Sequence, residues 1–163
     1  MLGRWPPHAG WVRTFGMVRD TSHPGWRALN AALERLAERC GARAATVLDE
    51  GFVVWGEARA GGDLSGPLVD EVDRFYRTEI EPRISEMRHG VSIGMQNVSG
   101  RDYYVAKSFA SLYVVVVWFS GPFDVAAAHD LLSAALPEIE ALTLSLPPWD
   151  GPDAGSGARR QVG

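Results

Sequence analysis

Residues 28–56 read ALNAALERLAERCGARAATVLDEGFVVWG, and the first half of the fold follows from this stretch. Trp26, Leu29, Leu33, Leu36, Ala37 and Cys40 recur at helical spacing, while Arg27, Glu34, Arg35 and Glu38 take the other side. The spacing predicts a helix from about Pro24 to Cys40. Pro24 suits a first turn, with Ser22 or His23 as cap. Gly41 supplies the residue that can turn left-handed and end it. Two short β-rich runs follow, Ala44–Asp49 and Phe52–Glu57, and Glu50-Gly51 between them predicts a hairpin.

Beyond the hairpin, Ala60-Gly-Gly-Asp-Leu-Ser-Gly is a loop, and a second helix is expected from about Pro67 to Met87. Val69, Val72, Tyr76 and Ile80 form its inner stripe, with Met87 in line if the helix stays straight. Pro82 lacks an N–H, so a kink or break is expected near Ile80–Glu81. Asp70–Arg74, Asp73–Arg77 and Arg77–Glu81 are i, i+4 pairs for the outer face. Three strands come next: Val91–Val98, Asp102–Ser108 and Leu112–Phe119, with turns at Ser99-Gly100 and Ala110-Ser111. The last, LYVVVVWF, is apolar at every position, which requires cover on both faces. A final helix begins after Gly121-Pro122 with Asp124 as its cap. It carries Val125, Ala128, Leu132, Ala135 and Ile139 on one side, and Pro137 should bend it.

The element order is therefore αββαβββα. Short turns make the five-stranded sheet mostly antiparallel, and helices must cover both its faces, a mixed α/β (α+β) class. Residues 1–21 hold Trp5, Pro6, Pro7, Gly10, Trp11 and Gly16 without periodicity and are expected to form a flexible arm. Met17 leaves a later start open. The run PPWDGPDAGSGARRQVG from Pro147 is too poor in apolar residues for a core, so residues 147–163 are expected to be a disordered tail. The domain proper is 22–146.

At 163 residues, 46% hydrophobic and 22% charged, the chain fits one soluble domain of ordinary size. A net charge of −4 gives no general attraction to nucleic acid or anionic membrane. No apolar run is long enough to span a bilayer, and no secretory signal opens the chain. The single cysteine, Cys40, excludes an intramolecular disulfide framework and makes the cytoplasm the expected location.

Chemistry is sparse. No GxxxxGK[ST] and no GxGxxG after a strand occur, so neither a P-loop nor a dinucleotide site is expected. His8, His23, His89 and His129 stand apart from one another and from Cys40, without metal-ligand spacing. His89 beside Gly90 reads as a solvated turn residue, and Cys40 as an inert thiol on a buried stripe. No nucleophile, base and orienter assemble, so no catalytic residue, cofactor or metal is expected. Two features stand out. The strand Val91-Ser-Ile-Gly-Met-Gln-Asn-Val carries no charge or proline, and an uncharged edge strand invites another strand. Val91, Ile93, Met95 and Asn97 are its candidate dimer residues. On the flank of the second helix, Leu68, Glu71, Arg74, Phe75 and Thr78 are the candidate partner surface. Phe75 has an equal alternative there, a wider contact with the core.

The element order, together with helix 29–40, strand 46–49 ending in Asp, Gly51 and strand 52–55, resembles the roadblock/dynein light chain family over about residues 25–142. It is closest in kind to the bacterial mutual gliding-motility type of roadblock protein. Trp55, the later prolines and the terminal extensions depart from that pattern. The resemblance implies a roadblock-like domain that forms a homodimer, pairing its third strands into one sheet with the second helices side by side. It further implies a non-enzymatic regulator or scaffold in Ras-like GTPase-controlled polarity and gliding motility. Its partners would be the GTPase, another roadblock protein or a response regulator. A GAF-like small-molecule sensor is the alternative, which would need a concave pocket with convergent polar groups.

Overall fold

The computed structural model describes residues 24–60 and 68–147. The expected arm, the caps Ser22 and His23, His8, the loop 61–66 and the tail beyond Pro147 lie outside the described residues. Helix α1 (Pro24–Cys40) and strand β1 (Ala44–Asp49) have the bounds the sequence predicts. Gly41 follows α1 at φ +67°, the left-handed conformation that ends the helix. Strand β2 is Val54–Arg59, later than expected, because Phe52 turns left-handed at φ +66° and belongs to the hairpin turn. The register between β1 and β2 slips at Val47/Leu48, so Trp55 is an extra, bulged residue.

The remaining strands are β3 (Gly94–Asn97), β4 (Tyr103–Phe109) and β5 (Tyr113–Phe119). All neighbours are antiparallel in the order β2-β1-β5-β4-β3. The all-apolar β5 lies at the centre and is packed on both sides. Val115, Val117 and Phe119 join α1 and the last helix, α4 (Val125–Ser145), in one core. Val114, Val116 and Trp118 join the helical layer on the opposite face in a second core. Asp124 caps α4 as expected, its carboxylate accepting from Ala127 N–H at 3.1 Å, and the helix runs on through Pro137.

That opposite layer is where the helix is irregular. Helix α2 (Leu68–Phe75) widens into a π turn (Tyr76–Ile80), tightens into a 3-10 turn (Glu81–Arg83) and resumes as α3 (Ile84–Arg88). The break predicted from Pro82 thus takes this form: Glu81 N–H reaches back five residues to Tyr76 C=O. The wide turn keeps Ile80 and Met87 both buried against the sheet.

Candidate functional site

Strand β3 is an outer edge of the sheet. It is four residues long, shorter than the eight anticipated, because side chains intercept the ladder at both ends. Ser108 Oγ accepts from Ile93 N–H at 2.7 Å, and Asn97 Nδ2 donates to Ser99 C=O at 2.8 Å and to Asp102 C=O. Met95 is buried beneath the α2 layer, with Ile93 packed alongside. Val91 and Val98 flank the strand, 50% and 41% exposed. Of the candidate dimer residues, then, Val91 is free at the surface, Ile93 and Met95 anchor the edge from beneath, and Asn97 holds the turn.

The candidate partner residues divide. Leu68 and Phe75 are only 1% and 2% exposed and belong to the second core, so the outward placement is corrected for both. Phe75 meets Tyr104 and Trp118 edge-to-face, with centroids 4.9 and 5.7 Å apart. Those rings arrive from β4 and β5, and no local spacing on the helix announces them. Arg74 turns outward but bonds Asp102 through Nε and Nη2, both at 2.8 Å, instead of its predicted i−4 partner Asp70. Glu71 pairs with Arg43, Arg77 with Asp73, and Arg83 with Glu79. Thr78 is exposed, its hydroxyl donating to Arg74 C=O. The outer face of this layer is accordingly a self-neutralised lattice of ion pairs over an apolar floor. Tyr104 OH donates to Glu79, and burial plus that carboxylate hold the phenol well above its usual range.

Sequence reasoning passed over a cluster at one end of the sheet. Asp49 Oδ1 accepts from Gly51 and Val53 N–H, and its Oδ2 accepts from Trp55 Nε1 at 2.8 Å. Burial outweighs these bonds and pushes the Asp49 carboxyl up. Glu50 clasps Arg88 of α3 through two bonds of 2.7 and 2.9 Å, and Tyr76 OH donates to Glu50 C=O at 2.6 Å. The signal was the Asp-Glu-Gly turn itself, with an aromatic two residues into the next strand; here it locks the hairpin to the helical layer.

Elsewhere the chemistry stays modest. Among the described residues no group of three His, Cys, Asp or Glu side chains is placed to hold a metal. Cys40 is half-buried, and burial pushes its thiol up, against the pull of Arg39. His89 is exposed and meets Ser85 C=O through Nδ1. No described helix is long and apolar enough to cross a membrane. A groove between α1 and β2, bounded by Asn30, Glu34 and Glu57, is open to solvent and does not converge on an enclosed pocket.

No protein-family model and no curated protein matches the sequence. Solved structures do match. MglB of Myxococcus xanthus superposes with a TM-score of 0.54 at 13% identity, over 78% of this chain and 96% of that one. The gliding protein MglB of Thermus thermophilus gives 0.59 at 13% identity, over 76% and 93%. MglC of Myxococcus xanthus gives 0.53 at 16% identity, over 72% and 98%. The chain has the fold of these roadblock-type gliding proteins, as its element order implied.

Proposed function

We propose that this protein is a non-enzymatic, homodimeric roadblock-type regulator or scaffold. It acts in polarity or gliding motility by docking on a small Ras-like GTPase, another roadblock protein or a response regulator. The observation that carries the dimer is the β3 edge, which has no charged residue and is bracketed by exposed Val91 and Val98. Antiparallel self-pairing sets the Val98 end of one strand beside the Val91 end of the other, so both exposed valines fall within the paired edge. The fold shared with gliding proteins supports the assignment to motility. The partner surface we assign to the outer α2 layer, where Glu71, Arg74 and Thr78 lie over the buried Leu68 and Phe75.

Light scattering on the full chain at micromolar concentration should give twice the monomer mass. A native pull-down with the same protein should recover a small GTPase, a roadblock protein or a response regulator. Thr78→Arg, which leaves every ion pair of the layer in place, should abolish that capture while leaving the melting temperature unchanged. A wild-type monomer would remove the dimer. Capture untouched by Thr78→Arg would move the partner surface elsewhere.

A further inference from the structure

Among the described residues, nothing requires Gly94 to be glycine. Its φ is outside the left-handed region, and a Cβ built there meets nothing within 4 Å. A glycine inside a strand weakens it and marks a bulge, a tight bend or a close approach by a ligand or another backbone; the β3–β4 register is unbroken at Gly94, which leaves the close approach. Strand parity shows which groups face that approach. Ser108 N–H donates to Ile93 C=O at 2.9 Å, so residues 93, 95 and 97 direct their backbone groups at β4. The N–H and C=O of Gly94 and Gln96 therefore point away from the sheet. Their side-chain positions share the α4 face, opposite buried Met95, and the Gln96 amide oxygen is 2.9 Å from His129 Nε2 of α4. An open space at residue 94 thus lies two positions from an anchored amide at residue 96, on the same face of the same edge.

We infer that Gly94 is the seat for the Gln96 side chain of a second copy, with the two β3 strands antiparallel and Met95 opposite its own counterpart. This rests on the homodimer reading above and specifies its register. With Met95 on the two-fold axis, each Gly94 stands across from the partner's Gln96, and both outward-facing residues of β3 stay inside the ladder. Centring on Gly94 instead sets two glycines against each other, leaving a void, and runs Gln96 against Ser92 outside the strand. Centring on Gln96 crowds two amides together and runs Gly94 against Val98. The central register fills the space at Gly94 twice and leaves each Gln96 bonded to its own His129.

The test is an exchange. Gly94→Gln enters open space in the single chain, so circular dichroism and the melting point of the monomeric variant should show an intact fold. Its amide occupies the seat of the partner's Gln96, and the dimer dissociation constant should rise by about tenfold or more. Adding Gln96→Gly restores one amide facing one glycine, and the exchanged protein should return to within about threefold of wild type. Gly94→Ser, a smaller intrusion, should fall between. Wild-type affinity in Gly94→Gln, or an exchanged protein no better than Gly94→Gln, overturns the register while leaving the dimer standing. A wild-type chain that is monomeric overturns both.

Discussion

The two outer strands of the sheet, β2 and β3, handle the same physical problem in opposite ways. An edge strand presents unpaired backbone groups, and a protein must cover them, charge them or use them. On β2 the edge is finished from within. Asn30 of α1 reaches over to accept from Glu57 N–H at 3.1 Å, and Glu57 and Arg59 carry charges that pair with each other. Gly56 is a glycine because α1 is in the way: a Cβ there would come within 2.8 Å of Leu29 Cδ2 and 2.9 Å of Leu33 Cδ1. Among the described residues, nothing equivalent occurs on β3. The strand carries no charge, its glycine faces open space, and its flanking valines are exposed. One edge is closed by its own helix, and the other is shaped for something outside the chain.

An edge can receive a partner only on a firm base, and for β3 that base is the α2 layer. Phe75→Ala removes a ring locked between Tyr104 and Trp118 and should cost about 3–5 kcal/mol in chemical denaturation. A loss below about 1 kcal/mol would mean that α2 rides loosely on this side. The two glycines sharpen the contrast next. Gly56→Val drives a branched side chain into Leu29 and Leu33 and should lose about 1–3 kcal/mol, read as a lower denaturation midpoint. Gly94→Val, measured where the chain is monomeric, should change stability by less than about 0.5 kcal/mol. Equal costs at the two positions would erase the distinction between the edges.

Tyr104 tests the β3 side through pH. Its folded-state value is raised by burial and by Glu79, so its contribution to stability is fully present below the ordinary phenol range. That contribution disappears as pH rises through the folded value. Wild-type protein should therefore lose stability progressively above about pH 10. Tyr104→Phe should lose about 1 kcal/mol at neutral pH with the Glu79 bond, and show a shallower alkaline decline. The decline should not vanish, because burial raises Tyr113 as well. Urea titrations at pH 7 and pH 10.5 on both proteins measure the difference.

What the sequence made legible depends on how local the cause is. The bounds of α1 and β1 follow from a period of 3.6, a glycine stop and a β-rich run, all contained within the one stretch Pro24–Asp49. The central place of β5 follows from eight apolar residues in a row. Phe52 reads as the start of a strand, yet its backbone is set by the Asp49 carboxylate gathering Gly51 and Val53 N–H into a turn. In the expected inner stripe of α2, Val72, Tyr76 and Ile80 are buried as their spacing predicts, while Val69 is only partly buried and Leu68 and Phe75 join the stripe. Leu68, Val72, Phe75 and Tyr76 face inward because Tyr104 and Trp118 wait there, and those rings come from strands 28 to 50 residues away. Arg74 went to Asp102 for the same non-local reason. Of the candidate site, the uncharged edge was visible in the residues themselves. Its length was not, because Ser108 and Asn97 trim it with side-chain bonds that obey no period.

The smallest expected effect is at Asn30, and it asks whether β2 stays closed by a single amide. Glu57 N–H points away from β1, and within the described residues its acceptor is Asn30 Oδ1. Asn30→Ala removes that acceptor but opens no cavity, since Asn30 borders the solvent-filled groove and water can replace the bond. The cost should be about 0.5–1 kcal/mol, the net worth of one hydrogen bond that water partly restores. Amide exchange at Glu57 should quicken while that at Met95 stays as it was, because β4 and not Asn30 pairs with Met95. The charges on Glu57 and Arg59 remain, so the variant should keep the wild-type oligomeric state even with its ladder uncapped. A new β2-dependent association in Asn30→Ala would show the amide, rather than the charge pair, to be what keeps that edge from other chains.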